Sequence, residues 1–218
     1  MADKLSKDVM QHCQSTLTEK EAARIAAVSK TCYHAWATLA MVDFNDQDHG
    51  DYIAEVATRM VTRYEAENLK LDSFRLWSAE IDRGLAKNLI ERALKLGASE
   101  IAIYVGDDAH GKFNLPTTVL GSEHIRSLCA QGCIISLDQI KCFSLKTLHL
   151  AKVCVVGDLF NDFILKCNEL VEVALCHTEN LTGSVDLDDS WESVIGQSKV
   201  QSLELIGIDR GDNMVLHA

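Results

Sequence analysis

One spacing recurs through the second half of this 218-residue chain and limits what it can fold into. An apolar residue is followed by two open positions, a second apolar residue, one open position and a third apolar residue. The copies are Ile125-x-x-Leu128-x-Ala130, Leu145-x-x-Leu148-x-Leu150, Leu170-x-x-Val173-x-Leu175 and Val200-x-x-Leu203-x-Leu205. The last two apolar residues of each copy alternate with period two, the pattern of a strand buried on one face. The copies start 20, 25 and 30 residues apart, enough for one strand and one return segment. A unit this small buries its apolar side only against the next copy. The spacing therefore predicts parallel strands stacked side by side, each with a return segment behind it.

The period and the strand pattern are those of leucine-rich repeats. In such a unit the open positions of the strand point away from the core. Here they are Arg126, Ser127 and Cys129; Lys146, Thr147 and His149; Val171, Glu172 and Ala174; Gln201, Ser202 and Glu204. Of these, Arg126, Ser127, Lys146, Thr147, His149, Glu172, Gln201 and Glu204 are the candidate residues of a target-binding face. The repeat rule places Asn or Cys three positions after the last apolar residue. Cys133 satisfies it, whereas Val153, Thr178 and Ile208 stand there in the other copies.

Upstream the rhythm differs. Ile53, Val56, Ala57, Met60, Val61 and Tyr64 form the apolar stripe of an amphipathic helix. "NLKLDSF" (68–74) reads as a strand, Leu85, Leu89, Ile90, Ala93 and Leu94 as a helix closed by Gly97, and "SEIAIYV" (99–105) as a strand. Leu159, Phe160, Phe163, Ile164 and Cys167 mark one further helix. At the front, Val9, Met10, Cys13 and Leu17 share a helical face. Thr18 and Glu21 make a capping box for a second helix rich in alanine. Cys32, Ala35, Trp36 and Leu39 mark a third. Three short helices in about 40 residues bury too little to stand alone, so another surface must complete them. The expected organisation is a helical unit over 1–44, a linking helix over 45–65, and degenerate repeats over 66–218 that stop without a further copy.

Several function classes are disfavoured. A net charge of −11 does not suit a general nucleic-acid surface. No apolar run is long enough for a membrane span, and the polar start carries no signal-peptide core, so a cytosolic or nuclear protein is expected. Its eight cysteines form no C-x-x-C pair, and reduced, mostly buried thiols are expected in place of a metal site. "GDDAHGKF" (106–113) follows a strand and approaches a phosphate-binding loop, but Phe113 stands where Ser or Thr would hold magnesium. Asp107 and Asp108 would also repel phosphate, so an inter-repeat loop is expected. The histidines (His12, His34, His110, His124 and His149 among them) form no metal-binding or triad spacing. The acidic group Asp186, Asp188, Asp189 and Glu192 lacks the glycine turn of a calcium loop. No catalytic residue, cofactor or metal is expected.

A family resemblance then emerges at the front. Residues 5–44 resemble the F-box of plant F-box/leucine-rich-repeat proteins. Leu5, Asp8, Val9, Met10, Ser15, Leu17, the run Lys20-Glu21-Ala22-Ala23-Arg24, Ser29-Lys30, Trp36, Leu39 and Asp43-Phe44 follow that pattern without a gap. The resemblance implies an α/β protein: a short three-helix F-box followed by an irregular solenoid of parallel strands alternating with helices. It further implies a substrate adaptor in an SCF-type cullin–RING ubiquitin ligase. The F-box would dock the Skp-type subunit through Leu5, Val9, Met10, Cys13, Leu17, Ala22, Ala23, Ala26, Val28 and Trp36, and the repeats would hold a target protein. Ser6 and Thr18 replace the family's two helix-leading prolines, and Cys32 replaces a tryptophan, which implies weaker docking than a consensus F-box gives. The other reading of the same residues is a leucine-rich interaction module whose F-box remnant no longer docks and serves as a cap.

Overall fold

The computed structural model describes residues 7–17, 19–106, 111–137, 140–156, 160–179, 198–206 and 214–217. Three helices come first: α1 (Lys7–Ser15), α2 (Glu19–Ala26) and α3 (Lys30–Ala37). Then follow β1 (Met41–Asn45), α4 (Asp46–His49), a 3₁₀ turn (Gly50–Tyr52), α5 (Ile53–Ala66), β2 (Ser73–Ser78), α6 (Arg83–Lys95) and β3 (Glu100–Val105). The second half holds β4 (Phe113–Asn114), α7 (Thr117–Leu120), β5 (Ser127–Gln131), β6 (Cys133–Ser136), β7 (Thr147–Ala151), β8 (Cys154–Val156), α8 (Phe160–Lys166), β9 (Glu172–Cys176), β10 (Ser202–Ile206) and β11 (Met214–His217).

The strands form an open α/β sheet in the order β1-β2-β3-β5-β7-β9-β10-β11, and no barrel closes. The first seven run parallel and β11 runs antiparallel beside β10. A smaller parallel sheet, β4-β6-β8, lies apart from it. The large sheet carries no stagger. Val42, Phe74, Ile101, Leu128, Leu148, Val173 and Leu203 lie in one row across it, and Phe44, Leu76, Ile103, Ala130, Leu150, Leu175 and Leu205 in a second. Every residue of both rows is buried. A slip of one residue would turn a whole row to solvent, so the apolar spacing itself fixes the register.

The backbone repeats as regularly as the side chains. At the leading end of each strand, one carbonyl accepts from two successive amides of the next unit. Ala40 O takes Asp72 and Ser73, Asp72 O takes Ser99 and Glu100, and Ser99 O takes Arg126 and Ser127. Arg126 O, Lys146 O and Val171 O continue the series to Lys146 and Thr147, Val171 and Glu172, and Gln201 and Ser202. At the trailing end the chain turns through a left-handed residue: Gly106 (φ 83°), Gly132 (φ 66°), Lys152 (φ 52°) and His177 (φ 49°). The amides of the last three bond across to Ala151 O, Cys176 O and Ile206 O. An added Cβ at Gly132 would sit in ordinary contact, 3.5 Å from the Tyr104 ring, so it is the positive φ that favours glycine there.

The return segments follow from the available length. The longer early units fit helices: α5 buries Ile53, Ala57, Met60, Val61 and Tyr64, and α6 buries Ala86, Leu89, Ile90 and Ala93. Asp82 caps α6 by accepting from the Leu85 amide at 2.8 Å, which satisfies one of the helix's free donors. Twenty residues from Ile125 to Leu145 leave no room for a long helix, and the chain instead forms β6, burying Cys133 and Ile135. In the next unit Val153, just before β8, and Val155, on it, are buried in the same way.

Three sequence expectations change. The strand expected at 68–74 lies at Ser73–Ser78. Residues 68–72 close α5 instead: Asn68 is left-handed (φ 51°) and the Leu69 amide returns to Tyr64 O at 2.9 Å. The boundary expected at residue 44 falls inside the sheet, because Asp43 and Phe44 belong to β1 and pair with β2. The linking helix expected over 45–65 is α4, the 3₁₀ turn and α5, and the apolar stripe of α5 is built into the main core instead of standing between two units. The helix expected at 85–94 and the strand at 99–105 stand. Thr18, Leu159, Ile208, Asp107–His110 and the acidic group at 186–192 lie outside the described residues.

Candidate functional site

The large sheet buries one face and opens the other. Along the open face, every described strand position except Ser73 is partly or fully exposed. Three rows cross it in register. The trailing row is uncharged from end to end: Asn45, Trp77, Tyr104, Gln131, Ala151, Cys176 and Ile206. The middle row runs Asp43, Arg75, Ala102, Cys129, His149, Ala174 and Glu204. The leading row runs Met41, Ser73, Glu100, Ser127, Thr147, Glu172 and Ser202.

Within this face Trp77 and Tyr104 stack obliquely, ring centroids 6.3 Å apart. Small Ala102 leaves a depression of about 260 Å³ walled by Arg75, Trp77, Glu100, Ser127 and Cys129. Arg75 approaches Asp43 at 3.8 Å, and His149 Nε2 lies 3.1 Å from Glu172 Oε1. Arg126 donates from Nε and Nη2 to the Ser99 hydroxyl at 3.1 and 2.8 Å, which braces its guanidinium at the leading edge. Burial raises the Cys129 thiol above its ordinary range, partly opposed by the nearby Arg75 charge. It is therefore a protonated thiol beside His149, without the lowered pKa that a nucleophile needs.

The eight expected target-binding residues all sit here. Ser127, Thr147, His149, Glu172 and Glu204 are strand positions of the open face, and Arg126, Lys146 and Gln201 immediately precede their strands. Sequence reading missed the half of the face on β1–β3, with Asp43, Arg75, Trp77, Glu100 and Tyr104. The signal was present: Leu39-x-x-Val42-x-Phe44, Leu71-x-x-Phe74-x-Leu76 and Ala98-x-x-Ile101-x-Ile103 have the same spacing.

The helical unit covers the β1 end of the sheet. α1 and α2 pack on α3, around a small cluster of Met10, Cys32 and Ala35 that is separate from the main core. Polar contacts tie it down. Gln11 Nε2 donates to the Thr38 carbonyl and hydroxyl at 3.0 and 2.8 Å. Arg63 donates to Ala37 O at 3.2 Å and stands 4.8 Å over the Trp36 ring. The Tyr64 hydroxyl donates to Leu39 O.

The expected adaptor-binding residues divide by burial. Val9 (46% exposed) and Val28 (70%) project into solvent, joined by Tyr33 (49%), which sequence reading did not single out. Cys13 and Ala23 are also exposed and Leu17 half-buried. Met10, Ala22 and Ala26 are buried inside the unit and present no free surface, and Trp36 is half-buried against the main core. The expected apolar face of α1 is thereby split: Met10 points inward with Gln14, while Val9 and Cys13 point out. Leu5 lies outside the described residues.

The described parts of the remaining motifs pack into the fold. Phe113 is buried in β4, and Lys112 Nζ meets Glu179 at 2.7 Å, so the lysine of the phosphate-loop-like stretch is held by a carboxylate. Cys133 is buried and its thiol is pushed up to about 12 by desolvation. Cys142 and Cys167, both buried, hydrogen-bond to each other, and that bond with burial raises Cys167. Among the described residues no group of three or more His, Cys, Asp or Glu could hold a metal, and no helix is long and apolar enough to cross a membrane. Comparison with protein-family models, with curated proteins and with solved structures finds no match.

Proposed function

We propose that this chain is a substrate-recognition adaptor of an SCF-type cullin–RING ubiquitin ligase, built as an F-box-like helical unit on a leucine-rich solenoid. One observation carries the reading. A helical unit with its own small cluster, exposing Val9, Val28 and Tyr33, sits at one end of a stack of parallel strands whose other face stays open. Two separate surfaces suit two partners: the helices would take the Skp-type subunit, and the open sheet face a target protein. The adaptor needs no chemistry of its own, since it acts by holding the target near the transferred ubiquitin.

The second reading, a leucine-rich interaction module whose helices serve only as a cap, is favoured by the ties of Trp36, Arg63, Gln11 and Tyr64, which close the β1 end. Co-precipitation with the Skp-type subunit separates the two. The adaptor reading expects capture by the natural chain and its loss in Val28→Asp/Tyr33→Asp, whose side chains are exposed and whose fold should be unchanged. No capture by the natural chain removes the ligase reading and leaves the cap.

A further inference from the structure

The open face is amphipathic across its width, and its charges alternate along its length. The trailing row carries no charge on any of its seven strands. The opposite, leading edge is charged in blocks. Asp72, just before β2, and Glu100 on β3 are acidic; Arg126 and Lys146, just before β5 and β7, are basic; Glu172 on β9 is acidic, and Glu204 of the middle row lies beyond it on β10. These six side chains are all exposed. The middle-row charges Asp43 and Arg75 face each other at 3.8 Å.

We infer that this face takes an amphipathic α-helix of the target, lying across the strands. The inference rests on the target-binding role proposed for the sheet. Seven strands spaced about 4.8 Å apart span about 29 Å, the length of about 19 helical residues. The leading and trailing rows are separated by four residues along each strand, about 13 Å, which is close to the 10–12 Å width of a helix with its side chains. An extended segment laid across the strands would cover one row and leave the other bare, whereas a helix meets both. Its apolar stripe would lie on the trailing row, with a large side chain against Trp77 and Tyr104 and in the depression over Ala102. Its polar flank would face the leading edge. Each charged block is two strands wide, about 10 Å or about seven helical residues. The complementary flank therefore reads basic, acidic, basic at intervals of about two turns.

Three synthetic peptides of about 19 residues test this against the full chain by calorimetry. The first is an amphipathic helix with the basic–acidic–basic flank. The second inverts the three charges, and the third carries a central proline that breaks the helix. The first is expected to bind about tenfold or more tightly than the second, because each rim contact changes from attraction to repulsion. The proline peptide is expected to lose at least as much. In the surface variant Glu100→Lys/Lys146→Glu the preference between the first two peptides should narrow or reverse. Equal binding of the two charge patterns, undiminished binding of the proline peptide, or no binding by any of them at about 1 mM overturns the inference. Capture of the Skp-type subunit is measured on the same preparation. Adaptor capture without helix binding removes this inference alone, and helix binding without adaptor capture removes only the ligase reading.

Discussion

Gln14 offers a sharp test of how the helical unit is joined to the sheet. Its side chain is 1% exposed. Nε2 donates to Cys32 O at 3.1 Å, but Oε1 finds no donor among the described residues. The amide borders a cavity of about 30 Å³ between the helices and the sheet, together with Leu17, Trp36, Leu39, Met41 and Tyr64. Gln14→Leu keeps nearly the same volume. It loses one hydrogen bond, worth about 1 kcal/mol net. Cys32 O lies within α3, where the helix ladder supplies its ordinary donor, so the carbonyl is not orphaned. Against that loss, the variant removes a buried unsatisfied acceptor that costs about 1–3 kcal/mol. The apolar surroundings then favour leucine further. The balance is a gain of about 1 kcal/mol, or about 2–4 °C in Tm for a chain of this size. Urea unfolding, with an unchanged denaturant slope, measures it. A loss of more than about 1 kcal/mol would refute the reasoning: it would mean that Oε1 is bonded through a water seated in the cavity, and that the joint is a satisfied polar one.

Lys152 and His177 hold left-handed corners that Gly106 and Gly132 hold elsewhere, so Lys152→Gly and His177→Gly should each raise stability by about 0.5 kcal/mol in chemical denaturation, strain relief exceeding the added chain entropy. Gly132→Ala should lower it by about 1 kcal/mol on the same assay, since the left-handed φ of 66° strains an alanine. Glu65 accepts bonds of 2.8 and 2.6 Å from Arg92, which hold its carboxyl below the ordinary glutamate range. Its stabilisation is therefore present above the ordinary value and lost as pH falls through the lowered one. Glu65→Gln should flatten the fall in stability between about pH 5 and pH 3. With a thiol reagent, Cys13 should react quickly in the native chain, whereas Cys32, Cys133, Cys142 and Cys167 should react only after unfolding.

The apolar spacing alone determined the repeating parallel strands, their lack of stagger and the inward direction of Leu128, Leu148, Val173 and Leu203, because period two leaves each strand one face to bury and a neighbour of the same spacing to bury it against. The helices α5 and α6 were legible for the same reason, with period 3.6 in place of two. Only the tertiary structure decided where the first strands lie. Leu39, Leu71 and Ala98 lead units of 32, 27 and 27 residues, and long helical returns hide a spacing that short returns reveal. Only packing decided that α1 turns Gln14 inward and Cys13 outward: α1 is a short helix, and its inner face is set by what α3 and the sheet present to it. The uncharged row, the charged edge and the Trp77–Tyr104 pair are likewise invisible along the chain. Their members lie 20 to 32 residues apart, and only strand pairing brings them onto one surface.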